Sequence, residues 1–254
     1  MHTSIDVLEK AFSRKTTCAK LDLQCYQLMK AVDMLTTVDS DTLDLSAHIR
    51  GGDRITWGQG TGEPLKLIER LVEQRSAIGD VEVFLGISLV DTFCSEHFDH
   101  IRLISYGAVG TNAKFVRTGE MEVLPCHFSA VPNLIGSGQF PIDVVFAQIS
   151  PPGPNGTHSF GFCNDYLPIA MSRARVVIAE INTNVPWVYQ DVPFDEDLVT
   201  LAIESDEPVA SYEPVRPGAL ETQIARHIAS RIEDGATIQY GIGGIPPAVL
   251  KALE

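Results

Sequence analysis

Residues 143–150 of the chain have the sequence DVVFAQIS, in which an almost unbroken apolar run is followed by Ser-Pro-Pro-Gly at 150–153. Such a run is typical of a parallel strand that is covered on both faces, whereas a half-solvated strand alternates apolar and polar residues. Because proline cannot continue a strand ladder, we predict that the strand ends at Ile149. A second run, VVIAEI at 176–181, repeats the pattern and predicts a neighbouring strand.

Shorter apolar segments separated by turns predict further strands of the same sheet. They are residues 54–58, 81–87, 101–105, 121–124 and 198–203. Pro64 stands at the favoured first position of a helix, and the buried stripe of that helix is predicted to comprise Leu65, Ile68, Leu71 and Val72. Alternating strands and helices indicate an α/β fold with a mainly parallel, helix-covered sheet.

The chain is predicted to have three parts. Residues 1–47 are interpreted as an N-terminal helical segment, because apolar residues recur there at spacings of three and four. The residues of that stripe are Leu21, Cys25, Leu28, Val32 and Leu35. Residues 48–214 form the first α/β domain, and the polar, proline-rich stretch 205–217 marks its boundary.

Residues 215–254 are interpreted as the start of a second α/β domain. An amphipathic helix is predicted over 219–232, a strand over 237–240, and a further helix from Pro247 onward. Because the sequence stops within that last helix, we expect the second domain to be incomplete and the chain to be truncated.

The composition of the chain restricts the ligands that we expect it to bind and the cellular compartment in which we expect it. A formal net charge of −14 argues against nucleic acid as a partner, since neutralising phosphates requires clustered Lys and Arg. No run approaches the ~18 apolar residues of a membrane span, and no export signal is found, so we expect no membrane partner and a cytoplasmic location. The five cysteines are scattered, and no cluster has metal-ligand spacing. We therefore expect neither a metal nor a tightly bound cofactor.

Two glycine-rich turns lie between a predicted strand and a predicted helix. They are WGQGTGEP at 57–64 and QYGIGGIP at 239–246. Glycine lets a backbone approach a ligand closely, and a helix start offers unpaired N–H groups to an anion. From local pattern alone, a tight turn without a ligand explains either segment as well. A third polar loop, residues 150–161, follows the best predicted strand, at the end where α/β proteins bind ligands.

Three phrases together resemble the acetyl-CoA hydrolase/CoA-transferase family, which includes acetate, butyrate and 4-hydroxybutyrate CoA-transferases. They are ISPPGPNGTHSFG at 149–161, ARVVIAEINTNVPW at 174–187 and DGATIQYGIGGIPPAVLKAL at 234–253. The resemblance extends from about Gly51 to the last residue. It implies a two-domain α/β enzyme that moves CoA between an acyl-CoA and a small carboxylic acid, such as acetate or 4-hydroxybutyrate, through a glutamyl-CoA intermediate.

The resemblance also implies site residues. The segment Gly241, Ile242, Gly243, Gly244 and Ile245 is expected to bind CoA, because bulk at these glycines would keep a pantetheine or phosphate from the backbone. The substrate pocket is expected to include Gln59, Gly60, Ser150, His158 and Ser159.

The family's nucleophilic glutamate has no counterpart in the sequence. It lies in the strand that follows the GIGGIP helix, and this chain ends at Glu254, still within that helix. We therefore expect no catalytic residue in residues 1–254 and no turnover by the chain alone. Glu180, within the second apolar run, is expected to be buried in a structural hydrogen-bonding role.

Alternatives remain open at this stage. The chain is either part of a transferase, part of an acyl-CoA hydrolase in which water reaches the intermediate, or a non-catalytic CoA-binding or subunit-interaction fragment. We expect its protein partner to be a second copy or a complementary C-terminal half. The sequence does not distinguish between acyl donors or between acceptors.

Overall fold

The computed structural model describes residues 35–154, 156–211, 216–241 and 243–254. The chain divides into two compact units, and the second unit begins at Ala210. This division falls inside the proline-rich stretch 205–217. The helical stripe proposed for the N-terminal segment lies outside the described residues except for Leu35.

The first unit contains one sheet of eight strands, and every strand pair in it is parallel. The strands are β1 Thr37–Val38, β2 Arg54–Trp57, β3 Val81–Leu85, β4 Ile101–Ser105, β5 Met121–Val123, β6 Val144–Ile149, β7 Val176–Asn182 and β8 Leu201–Ser205. Their order across the sheet is β1-β8-β7-β6-β2-β3-β4-β5. The predicted α/β class with a parallel, helix-covered sheet is confirmed.

Among the described residues, four α-helices accompany this sheet and two lie in the second unit. They are α1 Leu65–Ile78, α2 Ala113–Thr118, α3 Val131–Gly136 and α4 Leu167–Met171, then α5 Ala219–Ala229 and α6 Ile245–Leu253. Short 3₁₀ turns join several elements: Leu45–Ala47, Gly60–Gly62, Ser95–Asp99, Phe128–Ala130 and Glu196–Leu198.

Apolar clusters cover both faces of the sheet. All six residues of β6 are buried, and successive side chains enter opposite clusters, since neighbouring residues of a strand point to opposite faces. Val144 and Phe146 join the cluster under α1, whereas Val145 and Ala147 join the one under α3 and α4. Burial on both faces explains why the sequence of β6 is apolar at every position except Gln148.

The order of the strands creates a reversal between β2 and β6. From β2 the chain adds β3, β4 and β5 on one side, then returns to add β6, β7 and β8 on the other. The loops that follow β2 and β6 therefore lie side by side at the point where the strand order reverses. In open parallel sheets, ligands bind at such a switch point, outside the carboxyl ends of the strands.

Two segments differ from the sequence prediction in the type of their secondary structure. Thr37–Val38, inside the segment predicted to be helical, is an edge strand paired with β8, because β-branched residues fit a strand once a neighbour supplies the ladder. Residues 237–240 were predicted to form a strand, and this is wrong. They are irregular and lack a ladder partner among the described residues, and Ile238 and Tyr240 are 39% and 59% exposed.

Candidate functional site

The segment 58–63, which we call the glycine loop, connects β2 to α1 at the switch point. Its glycines are required by close packing. A side chain on Gly62 would overlap Cβ of Cys163, and one on Gly58 would lie 2.8 Å from the carbonyl oxygen of Gly62. Gly60 has a positive φ of 61°, a conformation that glycine adopts without strain. The alternating glycines thus let the loop fold tightly against the loop that follows β6.

Gln59 joins four loops at the carboxyl edge of the sheet. Its Oε1 accepts hydrogen bonds from the Tyr106 hydroxyl at 2.7 Å and from the backbone N–H of Ile87 at 3.1 Å. Its Nε2 donates to Oδ2 of Asp165 at 2.7 Å. Gln59 and Gly60, both predicted to line the substrate pocket, therefore lie at the switch point. The amide of Gln59 is occupied by protein groups, so it holds the loops in register.

Glu63 is a buried carboxyl group that sequence reasoning did not single out. It is only 3% exposed, and its Oε2 accepts a hydrogen bond from the backbone N–H of Leu89 at 3.0 Å. Burial raises the pKa of Glu63 to about 7, because removal from water disfavours the charged form. Its only sequence signal was its position between Gly62 and Pro64, ahead of a helix.

Glu180 of β7 is fully buried and lies close to the first turn of α1. Its Oε2 accepts from the backbone N–H of Leu67 at 3.1 Å, and its Oε1 accepts from the Ser205 hydroxyl at 2.7 Å. The cap residue of α1, Pro64, makes no side-chain capping hydrogen bond, so Glu180 supplies the missing acceptor from another strand. The predicted burial and hydrogen bonding of Glu180 are confirmed. Burial raises its pKa to about 7.

A chain of buried carboxamides links the glycine loop to the segment after β8. Gln148 Nε2 donates to the carbonyl of Thr61 at 2.9 Å, and its Oε1 accepts from Asn182 Nδ2 at 3.1 Å. The same Asn182 nitrogen donates to the carbonyl of Glu207 at 2.9 Å. The amides of β6 and β7 therefore connect the glycine loop to the start of the proline-rich stretch.

Ser150 and Ser159, predicted to line the pocket, are buried beneath the loop that follows β6. Their hydroxyl oxygens are 3.1 Å apart, and the Ser150 hydroxyl donates to the Pro151 carbonyl at 2.8 Å. Ser159 Oγ also accepts from the backbone N–H of Val188, in the loop after β7, at 3.1 Å. Ser159 thus joins the two loops, and Ser150 holds Ser159 from within the loop after β6.

His158 is the more accessible member of this predicted set. Its Nδ1 lies 2.8 Å from the carbonyl oxygen of Ser150, and because a carbonyl only accepts, Nδ1 carries the proton. Its backbone N–H donates to Glu196 Oε1 at 3.0 Å. The ring of this half-buried side chain is therefore fixed in one orientation, and its Nε2 makes no hydrogen bond to the described residues.

A cavity of about 440 Å³ opens between the loops that follow β6 and β7. Its lining residues are Gly161, Phe162, Asn164, Val188, Tyr189, Gln190 and Asp191. They provide two carboxamides, two aromatic rings and one carboxylate, and no cationic side chain is among them. Apart from Gly161, which ends the polar loop 150–161, the sequence analysis selected none of these residues, because no motif connects two loops that are about 25 positions apart.

The segment predicted to bind CoA lies in the second unit. An added Cβ would meet no atom within 4 Å at Gly241 or Gly244, and only Pro246 Cδ, at 3.9 Å, at Gly243. Ile245 begins α6 and is partly exposed, and Ile242 lies outside the described residues. Among the described residues, no atom thus covers the backbone before α6, and CoA binding there stays a prediction.

The described residues were predicted to hold no metal ion, and their buried cysteine Cys163 is a candidate nucleophile. No three of the described His, Cys, Asp or Glu residues are grouped so that they would hold a metal ion. The Cys163 thiol donates to Asp165 Oδ2 at 2.9 Å. Burial, and to a lesser extent the negative charge of Asp165, raises the pKa of Cys163. The thiol therefore stays protonated and is a poor nucleophile. Of the described helices, none has the length and apolar character needed to cross a membrane.

Comparison with known proteins identifies the family. Residues 40–213 match the acetyl-CoA hydrolase/transferase N-terminal domain. The chain is 33% identical over 213 residues to 4-hydroxybutyrate coenzyme A transferase of Clostridium kluyveri, and the aligned part covers 82% of this chain and 49% of the relative. It is 28% identical over 214 residues to succinyl-CoA:cyclohexane-1-carboxylate CoA transferase of Geobacter metallireducens, with 83% of this chain and 48% of the relative covered.

A solved structure agrees with this match. The crystal structure of 4-hydroxybutyrate CoA-transferase from Porphyromonas gingivalis superimposes with a TM-score of 0.64 at 29% identity, covering 90% of this chain and 53% of that one. The chain spans about half the length of the relatives it matches. Since the family match covers residues 40–213, the chain belongs to the acetyl-CoA hydrolase/transferase family.

Proposed function

We propose that this chain provides the N-terminal half of the active site of an enzyme that transfers CoA from a short acyl-CoA to a carboxylic acid. The observation that carries the proposal is the family match over residues 40–213. The two relatives compared above, both CoA-transferases by name, support transfer to a carboxylate over simple hydrolysis. The switch point, with its glycine loop and loop after β6, supports a ligand site at this edge of the sheet.

The proposed reaction proceeds in covalent steps. A glutamate carboxylate attacks the thioester carbonyl and displaces the CoA thiolate, which leaves a mixed acyl-glutamyl anhydride. The thiolate then attacks the glutamyl carbonyl and releases the original acid as its carboxylate. The acceptor carboxylate reverses both steps and leaves with CoA. Because the enzyme carries CoA between the two half-reactions, ping-pong kinetics are expected.

We propose that the nucleophilic glutamate is not among residues 1–254. The carboxylates that lie near the switch point support this, because each has a structural task. Glu63 accepts from Leu89, and Glu180 caps α1. Asp165 accepts from the amide of Gln59.

The binding residues are proposed in two groups. Gly241, Ile242, Gly243, Gly244 and Ile245 are proposed to contact CoA, which the open backbone at the described positions supports.

The substrate pocket is proposed to be shaped by Gln59, Gly60, Ser150 and Ser159, whose hydrogen bonds and backbone hold its loops. His158 is proposed to face the substrate, because its Nε2 makes no hydrogen bond among the described residues. We further propose that the chain acts as a homo-oligomer or with a complementary C-terminal half.

The test is isotope exchange with the purified chain. It is incubated with acetyl-CoA and labelled acetate, and label entering the thioester is followed. We expect no exchange by residues 1–254 alone, together with retained CoA binding by calorimetry, and exchange once the remaining half of such a protein is supplied.

Two outcomes would count against the proposal. Exchange by the chain alone would show that a nucleophile lies within it. Release of free CoA by the reconstituted protein, without label entering the thioester, would identify a hydrolase instead.

A further inference from the structure

The cavity between the loops after β6 and β7 is held open by contacts made within the protein. Ser159 Oγ accepts from Gly161 N–H at 3.3 Å in one wall and from Val188 N–H at 3.1 Å in the other. Gln190 Oε1 accepts from the backbone N–H of Phe160 at 3.2 Å. The two walls are therefore fixed before any ligand arrives, which lowers the entropy cost of binding.

Glycine and aromatic packing shape the same walls. Gly161 has φ of 61°, and a side chain there would overlap Val185. Trp187 packs over Gly153, and its ring meets that of Tyr189 edge-on, with centroids 4.7 Å apart. Tyr189 itself is 88% exposed, so most of its ring faces solvent. A ligand in the cavity can therefore contact the Tyr189 ring.

The polar side chains that line the cavity favour a neutral ligand that carries amide groups. Asn164 and Gln190 offer carboxamides, which pair well with other amides, and Asp191 accepts hydrogen bonds from N–H or O–H groups. The absence of Lys and Arg from the lining, together with the Asp191 carboxylate, disfavours a phosphate or a free carboxylate. A volume of about 440 Å³ lies within the usual range for small-molecule sites.

We propose that this cavity binds the neutral, amide-containing pantetheine arm of CoA. The inference rests on the proposed function, since it assigns part of the CoA substrate to residues of the first unit. The arm carries two amides and a hydroxyl group and no charge, so it meets the carboxamides and the carboxylate without electrostatic cost. The anionic adenosine phosphates of CoA would bind elsewhere.

The experiment titrates the 254-residue chain by calorimetry with reduced pantetheine and, separately, with adenosine 3′,5′-bisphosphate. Asn164→Ala and Tyr189→Ala alter exposed residues of the cavity, and each is expected to weaken pantetheine binding about fivefold, as for loss of one hydrogen bond or contact. Asn133→Ala, an exposed asparagine on α3, is the matched control and should leave the dissociation constant unchanged. Binding of the bisphosphate should not respond to Asn164→Ala.

Two results would overturn the inference: no pantetheine binding at millimolar concentration, or equal weakening by Asn133→Ala and Asn164→Ala. The outcome is separable from that of the proposed function. Pantetheine binding that depends on Asn164, in a protein that never transfers CoA, would refute the function and leave the site. Normal CoA transfer by a complete protein whose KM for CoA is unchanged by Asn164→Ala would refute the site and leave the function.

Discussion

The carboxylate of Glu180 in β7 accepts a hydrogen bond from the backbone N–H of Leu67 in α1 at 3.1 Å, although 113 positions separate the two residues in sequence. Helix α1 begins after a proline that cannot cap it, and the first backbone N–H groups of a helix need acceptors. One strand thus completes the start of a helix that packs on the sheet, directly after the glycine loop.

Removing this acceptor is expected to destabilise the first unit. Glu180→Ala leaves the Leu67 N–H and the Ser205 hydroxyl without partners, and should lower the free energy of unfolding by about 2 kcal/mol. Glu180→Gln keeps one acceptor and should cost less. Urea unfolding measures both, with Glu204→Ala, an exposed residue of β8, as control. An equal effect of Glu180→Ala and Glu204→Ala would contradict the capping role.

Glu63 is expected to make stability depend on pH. Its folded-state pKa of about 7 lies above the ordinary value of 4.5, so between these values the folded protein keeps a proton that the unfolded chain releases. The free energy of unfolding should therefore fall as pH rises from about 4.5 to about 7, by on the order of 3 kcal/mol for this group.

The amide in Glu63→Gln does not titrate, so this variant should lose less stability than the wild type over the same pH window. Glu180, whose pKa is also raised to about 7, contributes a similar slope that remains in the variant. Urea unfolding at several pH values provides the measurement, with Glu204→Gln as an exposed control. A Glu63→Gln variant with the wild-type slope would show that Glu63 does not titrate in this range.

The packing of the glycine loop predicts that Gly62→Ala is harmful. The new methyl group would overlap Cβ of Cys163, and overpacking a tight contact typically costs about 1–3 kcal/mol. Gly241→Ala adds the same methyl group where nothing lies within 4 Å, so it should leave the thermal midpoint unchanged. If Gly62→Ala were as stable as Gly241→Ala, the two loops would not pack closely in solution.

A larger side chain in the segment before α6 is expected to weaken CoA binding without changing the stability of the fold. Gly243→Val places a side chain in open space, where the nearest atom to its Cβ is Pro246 Cδ at 3.9 Å, so stability should change by less than about 0.5 kcal/mol. If CoA approaches this backbone, its dissociation constant should rise at least about tenfold, as measured by calorimetry. Lys251→Ala, on the exposed part of α6, is the control. Unchanged CoA affinity in Gly243→Val would remove the segment from the CoA site.

The sequence predicted the core of the fold because strand burial has a local signature. A parallel strand covered on both faces is apolar at nearly every position. β6 shows this at all positions but Gln148, and its end at Ile149 was predicted as observed. β8 was predicted three residues early, because the apolar Leu198 belongs to a 3₁₀ turn that precedes the strand. Residues 237–240 have strand composition, yet a strand requires a neighbour, and composition does not supply one.

Much of the candidate site was decided by tertiary structure. The motifs led to Gln59 and Ser159, but whether a polar atom faces a ligand or another loop depends on which strands are neighbours. Strand order brought Tyr106 and Asp165 to Gln59, and Val188 to Ser159.

The sequence by itself determined the family, the parallel sheet and the positions of the polar loops, because these follow from local composition and motif order. Only the tertiary structure decided that Glu63 is buried, that Glu180 bonds to the first turn of α1, and that a cavity opens beside Tyr189. Burial and cavity shape arise from contacts between residues far apart in the chain, and no local pattern records them.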